Sequence, residues 1–239
     1  MTPKAYLCLA SCVLALSACD RGAPRAGHRA PVPSPLPSSM TSLEAADPGT
    51  PARETFGAFR WDAAHGVFKA HDGPLRAEKL WTFEGSTDGF VMANGDVAPS
   101  GSPGLTVNSW GADAILRSPS GLKVDGAARS LVLVRLTRLR KGSPWDGSVH
   151  YSTQSHRETG DYFAKLAMGS NPGVNETVTL VYDMRRLKRG GDDWKDSIID
   201  QIRIDLDDGP GGAFLIRQIA IAHDPGGAVP VPVPVLAKP

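Results

Sequence analysis

The stretch that most restricts how this chain can fold is WKDSIIDQIRIDLDDGPGGAFLIRQIAIAHD, residues 194–224. Ile202, Ile204 and Leu206 alternate with Gln201, Arg203 and Asp205, the period-two pattern of a strand with one dry face and one wet face. Gly209, Pro210, Gly211 and Gly212 break the pattern with residues suited to a reversal, and an apolar run resumes from Phe214 to Ala222. In that second run Phe214 and Ile216 share one parity and Ile219 and Ile221 the other, so a bulge is expected near Arg217 and Gln218. Two long strands closing a domain in this way predict an antiparallel β-sandwich.

Other runs agree. Residues 56–71 are expected to form a hairpin turning at Ala64, His65 and Gly66, with Trp61 and Phe68 to bury, as an N-terminal addition to the sheet. Strands are predicted at 80–83, 90–92, 104–109, 114–118, 147–153, 161–167 and 176–184, separated by Gly- and Asp-bearing turns. In SLVLVRLTRLR, residues 130–140, Leu131 and Leu133 share one face and Val132, Val134 and Leu136 the other. A strand apolar on both faces belongs in the middle of a sheet. No run carries a convincing helical stripe, so the fold class is all-β, a sandwich or barrel of short strands.

The first residues carry an address rather than a fold. Lys4, the apolar run 7–16 and the small residues before Cys19 have the three parts of an export signal, too short for a spanning helix of ~20 apolar residues. The sequence Leu16-Ser17-Ala18-Cys19 resembles the bacterial lipobox, which implies cleavage before Cys19 and a lipidated Cys19 as membrane anchor. Asp20 resembles the inner-membrane retention residue of enteric bacteria, and inner and outer membrane both stay open. The expected organisation is a signal peptide over 1–18, a lipidated Cys19 with a Pro/Ala/Ser-rich linker over 19–52, a sandwich over 53–225, and an extended Pro/Val tail over 226–239. All three cysteines, Cys8, Cys12 and Cys19, fall in the signal segment, so the folded part has neither a disulfide nor a cysteine nucleophile. Lys and Arg total 26 against 25 Asp and Glu, which gives no nucleic-acid footprint.

Trp81-Thr82-Phe83-Glu84 with Asp88-Gly89-Phe90, the Ser118-Pro119 strand end, the 131–138 strand and the closing stretch resemble a galactose-binding-like jelly roll, shared with carbohydrate-binding modules. The resemblance implies that the polar-edged strand Ile202 to Asp205 pairs with the Ile-rich last strand, and that a glycan is the ligand. A structural calcium is common in that family, held by oxygens near the first and last strands, where Glu84 and Asp224 stand here; an exposed pair of acids is the alternative. Sugars need flat aromatic faces with polar flanks; Trp110 and Trp145 sit in turn contexts that suit this, and Trp194 precedes a strand beside Asp192 and Asp193, with core packing as the competing role for each. If Val149 and Tyr151 face the core, then Ser148, His150, Ser152 and Gln154 form a polar row on the other side. That row is either a binding face or a solvated one.

Signals of catalysis are scarce. There is no GxSxG elbow, HExxH pair or GxxxxGK loop. Asp205, Asp207 and Asp208 imitate an EF-hand only until Gly209 falls on a ligand position. Asp183, Asp193 and Glu176 are candidates for a glycosidase pair, with ordinary solvation as the simpler account. The cluster Arg185, Arg186, Lys188 and Arg189 suits either lipid headgroups and acidic glycans or a charged hairpin end. The chain is therefore expected to be a non-catalytic lipoprotein of the bacterial cell envelope that binds carbohydrate, with a structural or protein-interaction domain as alternative. A cleft where several acids and a histidine converge would argue against the non-catalytic reading.

Overall fold

Alternation along each run places its apolar residues on one side, and the strands settle into two sheets that press those sides together. The computed structural model of the chain describes residues 52–55, 57–71, 73–226 and 229. The signal segment, Cys19, Asp20, the linker up to residue 51 and the Val/Pro run from 230 onward lie outside the described residues. In chain order the strands are β1 (Arg53–Glu54), β2 (Arg60–Asp62), β3 (Val67–Ala70), β4 (Gly73–Pro74), β5 (Ala77–Trp81), β6 (Val91–Ala93), β7 (Gly95–Pro99) and β8 (Leu105–Ser109). They continue as β9 (Ile115–Arg117), β10 (Val124–Asp125), β11 (Leu131–Arg140), β12 (Trp145–Thr153), β13 (Phe163–Lys165), β14 (Glu176–Asp183), β15 (Ile198–Asp207) and β16 (Ala213–Ala222). The described residues contain no helix.

A seven-stranded sheet runs β1-β14-β11-β16-β8-β7, with β5 also on β16; a six-stranded sheet runs β13-β12-β15-β9-β6, with β10 also on β15. Pairing is antiparallel except for the short β1, which lies parallel to β14. The main core fills the space between the sheets. Val132, Val134, Leu136, Leu180, Phe214, Ile216, Ile219 and Ile221 come from one side, and Val149, Tyr151, Ile202, Ile204 and Leu206 from the other. Each such side chain contributes roughly 1.5–3 kcal/mol on burial.

The closing stretch departs from the expected hairpin. Strand β15 pairs with β12, β9 and β10, while β16 pairs with β11, β8 and β5, so the two belong to opposite sheets. Their apolar faces oppose each other across the core instead of lying side by side in one sheet. Residues 208–212 supply enough chain, at ~3.3 Å per residue, to cross the ~10 Å between packed sheets. The bulge lies where parity places it: the register with β11 slips between Gln218 and Ile216, leaving Arg217 as the extra residue. That slip turns both Phe214 with Ile216 and Ile219 with Ile221 inward.

The double-faced strand β11 is central, between β14 and β16. Its outward residues Leu131 and Leu133 join Val181, Ala220 and Ala222 in a second apolar cluster covered by Phe59, Phe68, Ala70 and Leu75. The N-terminal hairpin thus forms a separate three-stranded sheet, β2-β3-β4, laid over the outer face; it does not extend the sheet as expected. The expected tail is not wholly unpacked, since Val229 is buried in the same cluster. The strand expected at 80–83 ends at Trp81, because Phe83 adopts a left-handed φ of 55° that places its ring in the main core.

Candidate functional site on the outer face of the six-stranded sheet

Because Val149 and Tyr151 point into the core, Ser148, His150 and Ser152 of β12 face outward. Register then sets their neighbours: Ser148 pairs with Asp205, His150 with Arg203 and Ser152 with Gln201, while Arg203 pairs with Arg117 of β9 on its other side. A slip between Trp145 and Ser148 gives β12 one extra residue at its start. Gly147 is required there, with φ at 59° and a would-be Cβ only 2.5 Å from the Trp145 ring nitrogen.

Two open depressions lie along these strands. The larger, about 720 Å³, is bordered by Arg117, Ser152, Gln154, His156, Glu158 and Gln201. The second, about 360 Å³, is bordered by Asp146, Ser148, His150, Phe163, Arg203 and Asp205. Side chains in both are held in place from below. The His156 ring stacks on Tyr162 at 3.6 Å and 9°, and its Nε2 lies 2.8 Å from Asp193 Oδ2, which also accepts the Tyr151 hydroxyl at 2.9 Å. Burial, then that hydrogen bond, push the Tyr151 hydroxyl far above its ordinary pKa, so it stays a donor. The His150 ring stacks on Phe163 at 5.0 Å, and its Nδ1 lies 2.9 Å from the Thr159 carbonyl. Only the proton on Nδ1 can satisfy that contact, so Nε2 faces the depression.

Charges in the floor are paired. Arg117 binds Glu158, and Lys165 binds Asp146. Arg203 grips both oxygens of Asp205, with Nε 2.8 Å from Oδ1 and a terminal nitrogen 2.5 Å from Oδ2, and reaches Asp113 at 3.2 Å. Burial opposes the Glu158 charge, but the hydrogen bond from Arg117 and a backbone amide outweigh it and hold the carboxyl below the usual range. For Asp205 burial wins over Arg203 and the carboxyl is raised. Asp208 is raised as well, by burial and then by Asp146, Asp205 and Asp113. Ligand atoms of Asp146, His150 and Asp205 all lie within 4.8 Å of one another, the one such group among the described residues.

No family model matches the chain, and no curated protein does. Solved structures give partial overlaps. A family 29 carbohydrate binding module from Piromyces equi shares 8% identity at a TM-score of 0.41, over 58% of this chain and 83% of that one. The C-terminal family 22 carbohydrate binding module of a Clostridium thermocellum protein shares 20% at 0.42, over 62% and 92%. A C-terminal family 6 module from Zobellia galactanivorans shares 13% at 0.34, over 60% and 98%. Overlap at this level carries no argument about a ligand, which rests on the groove itself.

The residues singled out from sequence divide sharply. His150 and Gln154 border the two depressions. Trp110 is 62% exposed, in the loop whose Asp113 meets Arg203. Trp145 is half-buried, with the Arg138 guanidinium 5.3 Å from its ring. Trp194 is withdrawn as a ligand contact: it has no exposed surface, packs edge-on against Tyr151 and donates its Nε1 proton to the Arg129 carbonyl at 2.7 Å. Glu84 is exposed beside Thr82, and the buried Asp224 is bound by Arg185; neither joins the metal-competent group. The acids considered for catalysis are committed elsewhere: Asp183 to Arg185 and Arg186, Asp193 to Tyr151 and His156, Glu176 to Arg53 and Thr55. Arg185 and Arg186 therefore do not form a free basic patch. Arg117, Asp146, His156, Glu158, Arg203 and Asp205 entered the site only through register and loop packing.

Proposed function

We propose that this chain is a lipoprotein anchored through Cys19 in a bacterial cell-envelope membrane, and that its sandwich binds carbohydrate along the outer face of the six-stranded sheet. One observation carries the binding reading. Two shallow depressions follow β12 and β15, bordered by planar groups that both donate and accept hydrogen bonds and are held in position by their neighbours. From Ser148 to Gln154 such a face is ~20 Å long at ~3.4 Å per residue, suited to an extended polar chain more than to a compact apolar ligand. Trp110 offers a flat apolar face at the neighbouring loop for pyranose CH groups.

The convergence of Asp146, Asp205 and His150 favours hydrolysis as a second reading, since a raised carboxyl such as Asp205 is the form a general acid takes. Binding remains the stronger reading because Lys165 and Arg203 hold these two carboxyls as acceptors.

The full chain in detergent micelles, run through gels containing individual polysaccharides, tests both readings. Retardation on at least one, reduced about tenfold or more by Gln154→Ala or Trp110→Ala at unchanged melting temperature, is the expected result. No retardation on any polysaccharide points to a structural or interaction domain, and chain-dependent release of reducing ends that stops in Asp205→Asn establishes the hydrolase. Cys19→Ser is expected to abolish acyl labelling and membrane association; unchanged behaviour rejects the anchor.

A further inference from the structure

We propose that Asp146, His150 and Asp205 bind a divalent transition-metal ion, zinc in preference to calcium, in the floor of the smaller depression. This inference stands on side-chain geometry and does not depend on the glycan reading. The Nδ1 proton of His150 goes to the Thr159 carbonyl, so in the neutral ring Nε2 presents a lone pair. Facing that lone pair are Ser148 Oγ at 3.2 Å and Asp205 Oδ2 at 3.5 Å. The Ser148 hydroxyl has a single proton and also sits against Asp146 Oδ2, which can only accept. Lys165 and Arg203 donate to Asp146 and Asp205 from the outside, and each ionised carboxylate keeps further lone pairs, so three potential ligand atoms converge on one centre.

A direct charged hydrogen bond between imidazole and carboxylate would be about 2.7–2.9 Å. Two ligands on one tetrahedral ion, each about 2.0–2.1 Å from it, are instead about 3.3–3.4 Å apart. The 3.5 Å between His150 Nε2 and Asp205 Oδ2 fits the second arrangement. The third ligand atom, from Asp146, falls within the same 4.8 Å limit. Imidazole with two carboxylates suits zinc and its neighbours, whereas calcium asks for six to eight oxygens, more than this floor provides.

The surroundings complete a metal site of ordinary construction. His150 is oriented by the Thr159 carbonyl and the Phe163 ring, and Asp205 by Arg203. An ionised carboxylate has about four lone-pair positions, so Asp205 can hold Arg203 and an ion together. Lys165, 42% exposed at its side chain, is free to swing off Asp146 when an ion arrives. Three protein ligands leave a fourth position open toward the depression.

The experiment uses the full chain in detergent, stripped with chelator and titrated with Zn²⁺ alone and Ca²⁺ alone, with a chromophoric chelator as competitor for zinc. The expected result is one zinc per chain, weakened at least about tenfold in Asp146→Asn and in His150→Gln, with Ca²⁺ binding far weaker. Cobalt(II) should give visible absorption bands that His150→Gln removes. Asp146 is the least buried of the three ligands, so Asp146→Asn with an unchanged melting curve tests the site even if His150→Gln misfolds. Absence of zinc binding, or equal binding in wild type and Asp146→Asn, overturns the proposal; tighter Ca²⁺ than Zn²⁺ binding overturns the assignment of the ion.

Discussion

The sharpest test of the packing concerns Arg138, the one arginine among the described residues whose side chain is driven into the core. Its guanidinium lies 4.9 Å from the Phe214 ring and 5.3 Å from the Trp145 ring, with a terminal nitrogen 2.9 Å from Asp207 Oδ1. The two side chains are 1% and 0% exposed, and the Gly142 amide at 3.2 Å is the further donor to Asp207. Removing one member of a buried pair strands the other charge, which costs about 3–5 kcal/mol. At ~2–4 °C per kcal/mol for a domain of this size, Arg138→Met or Asp207→Leu should lower Tm by ~6–20 °C. The double variant, with no charge left to strand, should return to within about 1 kcal/mol of wild type or exceed it. Acidity separates the single variants. Asp207 already has a raised carboxyl because burial outweighs Arg138. Without Arg138 its folded pKa rises further above the unfolded value near ~3.9, so the folded state binds the extra proton. The Arg138→Met penalty is then full above the raised pKa and fades as pH falls toward ~4, whereas arginine keeps its charge and the Asp207→Leu penalty does not fade. Urea melts at pH 4.5 and 7 read both effects. Losses below about 1 kcal/mol, or a double variant as weak as the sum of the singles, would refute the buried-pair account.

Two further outcomes follow from the same packing. Phe59→Ala removes the anchor that holds the three-stranded sheet on Leu131 and Leu133, so amides of 60–70 should lose hydrogen-exchange protection while those of 131–136 keep it; coincident loss in both would mean that the hairpin is integral to the sandwich. Burial opposes ionisation of Asp183, but hydrogen bonds from Arg185, Arg186 and the Arg185 amide hold its carboxyl below the usual range. Its contribution to stability is present above pH ~4 and lost as pH falls through the lowered folded value, so Arg186→Met should move the acid-unfolding midpoint upward, and an unmoved midpoint denies the pairing.

What could be read from the chain and what could not differ for a physical reason. Alternation reports which side of a strand is dry, and on that basis the strands at 131–140 and 198–207, the inward Val149 and Tyr151 and the parity change at Arg217 were all legible. Alternation says nothing about which neighbour supplies the hydrogen bonds. A hairpin and an arch between sheets satisfy the same dry face in residues 194–224, and only the second lets Ile202, Ile204 and Leu206 meet Phe214, Ile216, Ile219 and Ile221 across one core. The candidate site inherits this division. His150 and Gln154 stood out as one parity of one strand, but their partners Asp205, Arg203 and Arg117 lie on strands whose register no local pattern encodes. Trp194 shows the converse: set among Asp192, Asp193, Lys195 and Asp196 it reads as a surface residue, yet the turn folds its ring inward, where the Arg129 carbonyl accepts its proton. A polar neighbourhood in sequence describes the backbone's exposure, and a large side chain with one polar atom leaves it whenever the core supplies both a cavity and an acceptor.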